Sequence, residues 1–146
     1  MPNVPRLTFK KSERLCSQIL IDRLFNGGSK SLSAFPIRVV YRVDDAPEQA
    51  VEVLVSVSKK RFHRAVKRNR VKRQIREAYR KNKYMLWDAL NGHSKALSLA
   101  FIWLDDKLYD SSVVDRQVVV LLKRIVEKLP AFLNEEKLPA TDEQVD

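Results

Sequence analysis

Arginine and lysine are concentrated in one stretch of the chain, residues 59–83, which reads KKRFHRAVKRNRVKRQIREAYRKNK. This stretch holds thirteen Lys or Arg and one acid, Glu77, whereas the other residues carry fifteen bases against seventeen acids. Guanidinium groups donate forked hydrogen bonds to phosphate oxygens, and ammonium groups add point charge. A run with so few acids repels itself unless a polyanion binds it. The stretch therefore has the chemistry of a nucleic-acid-binding surface.

Side chains suited to catalysis or metal binding are scattered along the chain. His63 and His93 have no Cys or Ser nearby in sequence that would form a nucleophile with its base. Two histidines and the single Cys16 cannot supply the four ligands of a structural zinc site. The adjacent acids at 44–45 and 105–106 lie in predicted loops, whereas a two-metal nuclease needs convergent carboxylates. We expect no catalytic residues and no metal ligands in the protein.

The chain has 146 residues and an ordinary hydrophobic content of 45%, which predicts one domain. We expect a single RNA-binding domain at 1–130 and an acidic, mobile tail at 131–146. The first residues contain no apolar signal core, and the longest apolar run, Ala96–Leu104, is too short to span a bilayer. A cytoplasmic protein without a membrane partner is the expectation.

Hydrophobic periodicity predicts the elements before the basic stretch. Apolar residues at helical intervals favour a helix over 12–25. Residues 35–43 alternate as a strand, with Ile37, Val39 and Tyr41 on one face and Arg38, Val40 and Arg42 on the other. Residues 50–58 alternate again, with valines 51, 53, 55 and 57 on one side, which predicts an antiparallel hairpin with the preceding strand.

The basic stretch divides into a predicted loop, 59–67, and a helix that begins near Arg68 or Asn69. Apolar residues form a stripe along this helix, which we expect to pack in the core, and arginines line an adjacent face. The stripe is Val71, Ile75, Ala78 and Tyr79; the arginines are Arg73, Arg76 and Arg80. Free backbone N–H groups at the start of the helix would suit a phosphate.

After the basic helix, which may extend to Asp88, residues 97–104 form a nearly continuous apolar run, typical of a central strand buried on both faces. An amphipathic helix follows with Val114, Val118, Leu121, Ile125 and Leu129 on one face, and we expect it to end before Pro130. The resulting fold is α+β, a small mixed sheet packed with helices in the order α-β-β-(β)-α-β-α.

No recognition-helix pair, zinc finger or heptad zipper is visible, so structured RNA is favoured over DNA as the ligand. The exposed face of the sheet could stack unpaired bases, with Tyr41 as the first candidate and Phe35 as the second. A stand-alone or ribosome-associated RNA-binding module and an independent nuclease are the alternatives. The sequence does not have the cluster of strand carboxylates that an independent nuclease would need.

The segment VSVSKKRFHRAVKRNRVKRQIREAYR resembles the signature of the bacterial ribonuclease P protein subunit, a strand ending in SKK followed by an RNR-containing helix. The core of the match is Arg68-Asn69-Arg70, Lys72-Arg73 and Arg76-Glu77. The element order resembles the family from Arg6 to Leu129. The resemblance implies the fold of the second domain of ribosomal protein S5, with a left-handed βαβ crossover.

The resemblance also implies a function, namely assisting removal of the 5′ leader from precursor tRNA. The catalytic RNA subunit would carry the endonuclease chemistry with bound Mg²⁺, and the protein would bind no cofactor alone. It would act as a monomer in a 1:1 ribonucleoprotein, contacting the catalytic RNA and the precursor tRNA.

Two sets of binding residues follow from the resemblance. The set for the catalytic RNA is Lys59, Lys60, Arg64, Lys67, Arg68, Asn69, Arg70, Lys72, Arg73, Arg76 and Arg80. The set for the single-stranded leader, in a cleft between the first helix and the sheet, is Phe9, Leu15, Ile19, Tyr41 and Val55. Leu15 and Ile19 depart from the family, which often has Phe there, so base stacking at these positions would be weaker.

Overall fold

The computed structural model describes residues 18–25 and 29–133, without the side chains of 18–20 and 132. Its elements in chain order are helix α1 (Gln18–Phe25), strands β1 (Lys30–Ala34), β2 (Ile37–Asp45) and β3 (Ala50–Ser56), helices α2 (Ala65–Asn82) and α3 (Tyr84–Leu90), strand β4 (Lys95–Trp103) and helix α4 (Ser111–Leu133). The α+β class is confirmed, and the elements follow the predicted order except that α3 is a separate helix. The start of the first predicted helix and residues 134–146 of the predicted tail lie outside the described residues, whereas residues 131–133, also predicted as tail, are helical.

The four strands form one sheet in the order β1-β2-β4-β3. β4 pairs antiparallel with β2, with Val39 opposite Phe101, and parallel with β3, with Val53 opposite Leu99. The predicted hairpin between β2 and β3 is therefore wrong. β4 is apolar on both faces, so it is stable only inside the sheet, and it separates the two strands that are neighbours in sequence.

β1 is a strand that the sequence pattern does not predict, because its sequence KSLSA has a single large apolar residue, Leu32. It pairs antiparallel with β2. Helix α4 holds this hairpin from the side: Arg124 Nη1 donates to the carbonyl of Ser33 at 2.9 Å, and Gln117 Nε2 donates to the carbonyl of Phe35 at 2.8 Å. Pro36 lies in the turn, so β2 begins at Ile37 and not at Phe35.

The main core lies between one face of the sheet and helices α2, α3 and α4. The predicted helix stripes are confirmed, since Val71, Ile75, Ala78 and Tyr79 of α2 and all five predicted residues of α4 are buried. α2 thus has one side fixed to the sheet and to α4. The opposite face of the sheet carries a small second cluster under α1, formed by Leu24, Val40 and Ala100.

Three helix boundaries differ from those predicted. α2 begins at Ala65, one residue after the extended Arg64, so residues 65–67 are helical and not part of a loop. Lys83 separates α2 from α3, which were expected to be continuous. α4 continues through Pro130 to Leu133, which is 5% exposed in the core cluster. Burial of Leu133 offsets the backbone hydrogen bond that a proline cannot donate.

No helix in the described part of the chain is long and apolar enough to cross a membrane. The left-handed crossover expected from the resemblance stays a prediction.

Candidate RNA-binding surface

The basic loop, residues 57–64, connects β3 to α2 and is anchored in the core at two points. Val57 is 7% exposed and Phe62 is 5% exposed, although three cations, Lys59, Lys60 and Arg61, lie between them in sequence. Between them the backbone turns, because the N–H groups of Arg61 and Phe62 both point to the carbonyl of Ser58, at 3.1 and 3.4 Å. The anchors turn the side chains of Lys59, Lys60, Arg61 and Arg64 into solvent.

Helix α2 continues the cationic surface along its outer side. With its apolar stripe buried, the 3.6-residue period leaves Lys67, Asn69, Arg70 and Arg73 exposed. The predicted residues Lys72, Arg76 and Arg80 are only half-buried, at the margins of the same helix. The eleven residues predicted for the catalytic RNA thus fall on one loop and one helix that are joined without a break.

Arg68 has a different environment from the arginines around it. Its Nη1 donates two hydrogen bonds, to the carbonyls of Phe62 and His63, both at 2.9 Å. The side chain is half-buried, whereas Lys67 and Asn69 beside it are exposed. The predicted phosphate site at a helix start near Arg68 is wrong, because Arg68 lies one turn inside α2 and donates its own N–H to the carbonyl of Arg64.

Arg80 and Arg61 are among the cations that are paired with acids. Arg80 forms a two-point contact with Glu77, Nε to Oε1 at 2.9 Å and Nη2 to Oε2 at 2.6 Å. The hydrogen bond from Arg80 holds the pKa of Glu77 below its usual value, so this carboxylate stays ionised. Arg61 reaches Asp106 in the loop before α4, at 3.4 Å. Both acids reduce the positive charge of the surface at its edges.

An open depression of about 490 Å³ lies where α2 meets the start of α4, lined by Arg70, Arg73, Gln74, Glu77 and Ser111. Gln74 fixes its floor, because its Nε2 donates to the carbonyl of Tyr109 at 2.9 Å and to Ser111 Oγ at 3.1 Å. Among the described residues, Arg70 and Arg73 have no carboxylate partner. Arg80 offsets the charge of Glu77, so the depression is cationic.

The predicted leader cleft is only partly placed by the structure. Phe9 and Leu15 lie outside the described residues, and Ile19 lies in α1 with a side chain that is not described. Tyr41 and Val55 are wrong as cleft residues, because they are 0% and 6% exposed in the main core, on the sheet face opposite α1. Burial raises the pKa of the Tyr41 hydroxyl.

The sheet face that α1 covers presents other side chains. Arg38 is exposed there and donates from Nε to Ser31 Oγ at 2.9 Å. Arg42, four residues on, is paired with Asp44 at 3.0 Å. Ile21, Leu54 and Ile102 are partly buried beside the small cluster under α1. The alternation in β2 contains the signal for this arrangement, since it puts Arg38 and Arg42 opposite Tyr41.

Comparisons with known proteins agree with this architecture. The family model described as Ribonuclease P matches residues 9–126. The ribonuclease P protein component of Porphyromonas gingivalis is 43% identical over 132 residues, which cover 90% of this chain and 96% of the relative. That of Chlorobaculum tepidum is 43% identical over 74 residues, covering 48% of this chain and 47% of the relative.

Solved structures share the fold at lower identity. The RNase P protein of Thermotoga maritima superposes with a TM-score of 0.55 at 22% identity, covering 82% of this chain and 96% of that one. The RNase P protein of Staphylococcus aureus gives a TM-score of 0.56 at 19% identity, covering 79% and 96%. The family match spans most of the chain and includes the whole basic loop and α2. The chain belongs to the ribonuclease P protein family.

Proposed function

We propose that this protein assists removal of the 5′ leader from precursor tRNA by binding the catalytic RNA of ribonuclease P through the basic loop and the outer side of α2. The observation that carries the proposal is the continuity of this surface. Val57 and Phe62 anchor the loop in the core, and the apolar stripe of α2 is buried in the same core. The cations are therefore held at fixed spacings before RNA binds, which lowers the entropy lost on association.

The cationic depression is the proposed seat of a backbone phosphate. Arg70 and Arg73 line it from α2, and Ser111 lines it from α4. A phosphate there would accept charge-assisted hydrogen bonds from the two guanidinium groups and a hydrogen bond from the serine hydroxyl. These bonds are made to the RNA backbone, so the contact fixes position and carries no sequence information.

The leader is proposed to lie on the sheet face beside α1. Arg38 offers an exposed guanidinium there, and the partly buried Leu54 and Ile102 offer apolar surface. Neither aliphatic side chain stacks a base as an aromatic ring does, so contacts to the leader backbone supply most of the affinity. Such contacts suit a substrate class whose leader sequences differ.

Bond cleavage is assigned to the RNA subunit with its bound Mg²⁺, and the protein supplies binding. Two RNA molecules that must come together repel one another through their phosphates, and Mg²⁺ screens this repulsion. Cationic side chains of the protein that lie between the two RNA molecules also screen this repulsion, and they release counterions from both RNA molecules. The assistance should therefore be largest at low Mg²⁺ concentration, with one protein for each RNA subunit.

The family assignment decides against the stand-alone RNA-binding module. The described residues contain no cluster of three or more His, Cys, Asp or Glu that could hold a metal ion, which does not favour an independent nuclease. The nuclease alternative predicts cleavage of precursor tRNA by the protein alone, which the proposal excludes.

Binding of the purified protein to the catalytic RNA at several salt concentrations tests the proposed interface. If about four cations contact phosphates, the logarithm of the affinity falls with the logarithm of salt concentration at a slope near −3 to −4. Arg73→Ala should weaken binding by roughly 1 to 3 kcal/mol and make the slope shallower by about one contact. Lys123→Ala, an exposed cation on α4 outside the surface, is the control. A flat salt response, or equal losses in both variants, would place the interface elsewhere.

A further inference from the structure

Arg68 is the one arginine of the 68–73 segment whose guanidinium is bonded to the backbone of the basic loop. Both hydrogen atoms of Nη1 are directed to carbonyls, those of Phe62 and His63, at 2.9 Å each. We infer that Arg68 is a positioning residue, which fixes the basic loop against α2 so that the loop cations meet RNA at set distances from the helix cations.

The contacts explain why an arginine suits this position. Two adjacent carbonyls must be satisfied at the point where the chain leaves Phe62 and enters α2, and neither is in a regular element. One guanidinium nitrogen presents two N–H groups in a fixed plane, whereas an ammonium group on a flexible stem has no such fixed geometry. Because the carbonyls are neutral, Arg68 also keeps its full charge and adds to the positive potential of the surface.

The rest of the loop depends on this contact for its orientation. The Ser58 turn orders residues 58–62, and burial of Phe62 holds its ring, whereas within the described residues the carbonyls of His63 and Arg64 are held by the Arg68 side chain and by the first turn of α2. Loss of the contact would release the carbonyls of Phe62 and His63, so that the end of the Ser58 turn and the residues that join it to α2 would move. The exposed Lys59 and Lys60 would then keep their charges and lose their fixed spacing from Arg70 and Arg73.

Hydrogen exchange of the free protein tests the structural half of the inference. Arg68→Gln and Arg70→Gln each remove one positive charge from α2, but only the first removes the loop contact. Arg68→Gln should speed exchange of the Arg61 and Phe62 amides about tenfold, the change expected from losing charge-assisted hydrogen bonds. Amides within α2 should remain protected in both variants, which shows that the protein is folded. Unchanged loop exchange in Arg68→Gln overturns the inference.

A double-variant cycle tests the consequence for RNA, which rests on the proposed function. The loss of catalytic-RNA affinity caused by Lys60→Ala is measured in the wild-type, Arg70→Gln and Arg68→Gln backgrounds. The loss should be the same in the first two, because independent contacts add. In Arg68→Gln it should fall to less than half on a logarithmic scale, since Lys60 is no longer held in place. An equal loss in all three backgrounds overturns the inference, whereas failure of the wild-type protein to bind RNA overturns the proposed function instead.

Discussion

Arg80 and Glu77 form a two-point ion pair at the exposed margin of α2, with Nη2 2.6 Å from Oε2. Glu77 is the only acid in the stretch 59–83, and it lines the cationic depression together with Arg70 and Arg73. An acid at this place opposes phosphate binding. Glu77 also holds Arg80 in one orientation and compensates part of the charge of Arg80. The sequence pattern groups Arg80 with the RNA-binding arginines and does not show this compensation.

Glu77→Gln should therefore strengthen binding to the catalytic RNA. The variant removes one negative charge from the depression, and we expect the affinity to rise about threefold to tenfold at low salt, with the gain fading as salt screens the surface. Titration of labelled RNA at two salt concentrations measures the effect. Glu127→Gln, an exposed acid on α4, serves as the control for net charge. An equal gain in both variants would mean that the depression does not receive a phosphate.

Ser111→Asp should weaken catalytic-RNA binding, because it places a carboxylate on the wall of the depression opposite Arg70 and Arg73. Ser112→Asp is a matched control, since both serines are exposed in the first turn of α4 and an acid there stabilises the helix. We expect a loss of about 1 to 2 kcal/mol for Ser111→Asp beyond that for Ser112→Asp. Indistinguishable affinities for the two variants would remove Ser111 from the interface.

Leader recognition should depend on Arg38 and not on Tyr41. Arg38→Ala should reduce affinity for precursor tRNA by about threefold to thirtyfold, the range for a lost charged contact, while affinity for mature tRNA is unchanged. Tyr41→Phe keeps the buried ring and should leave the preference for precursor over mature tRNA as it is. A preference that falls in Tyr41→Phe and persists in Arg38→Ala would place the leader on the other face of the sheet.

The loop before α4 contains a hydrogen bond from the Tyr109 hydroxyl to Asp105 Oδ2. This bond lowers the pKa of Asp105 and raises that of Tyr109. A carboxyl group with a lowered folded-state pKa stabilises the protein above its unfolded value, about pH 4, and loses this effect as pH falls through the folded value. A raised tyrosine pKa stabilises below about pH 10 and loses the effect as pH rises through the folded value.

Tyr109→Phe should therefore be less stable than the wild type between about pH 4 and pH 10, with the gap closing on both sides. Phenylalanine keeps the ring that packs edge-on against Trp103 at 5.6 Å, so the variant isolates the hydroxyl. Urea unfolding across pH measures the gap, and NMR titration should find the pKa of Asp105 raised towards its ordinary value. A gap of constant size from pH 3 to pH 7 would contradict the assignment.

Much of the fold can be read from the chain because its strongest patterns are local. The stripe from Val71 to Tyr79 and the two-faced run of β4 each specify burial on their own, and both predictions are confirmed. Strand pairing depends on contacts distant in sequence, so proximity in the chain suggested a hairpin between β2 and β3 that does not form. The sequence does not predict β1, because its hairpin with β2 is held by side chains of α4. The short polar sequence of the strand contains no signal for these contacts.

The sequence likewise predicts part of the candidate site and not the rest. Charge identifies the surface, because thirteen bases against one acid in residues 59–83 leave few alternatives. Charge does not separate the exposed Arg73 from Arg68, which is bonded to two carbonyls, since that difference depends on how the loop folds back on the helix. The aromatic ring makes Tyr41 a candidate for base stacking, but its place in the β2 alternation, on the same face as Ile37 and Val39, indicates the core.

The central claim is that the protein assists an RNA that cleaves precursor tRNA, and reconstitution with the catalytic RNA tests it most directly. The rate of leader removal is measured at low Mg²⁺ with the RNA alone, with RNA and protein, and with protein alone. The account predicts that the protein raises the rate over RNA alone and that the protein alone cleaves nothing. Equal rates with and without the protein, or cleavage by the protein alone, would contradict it.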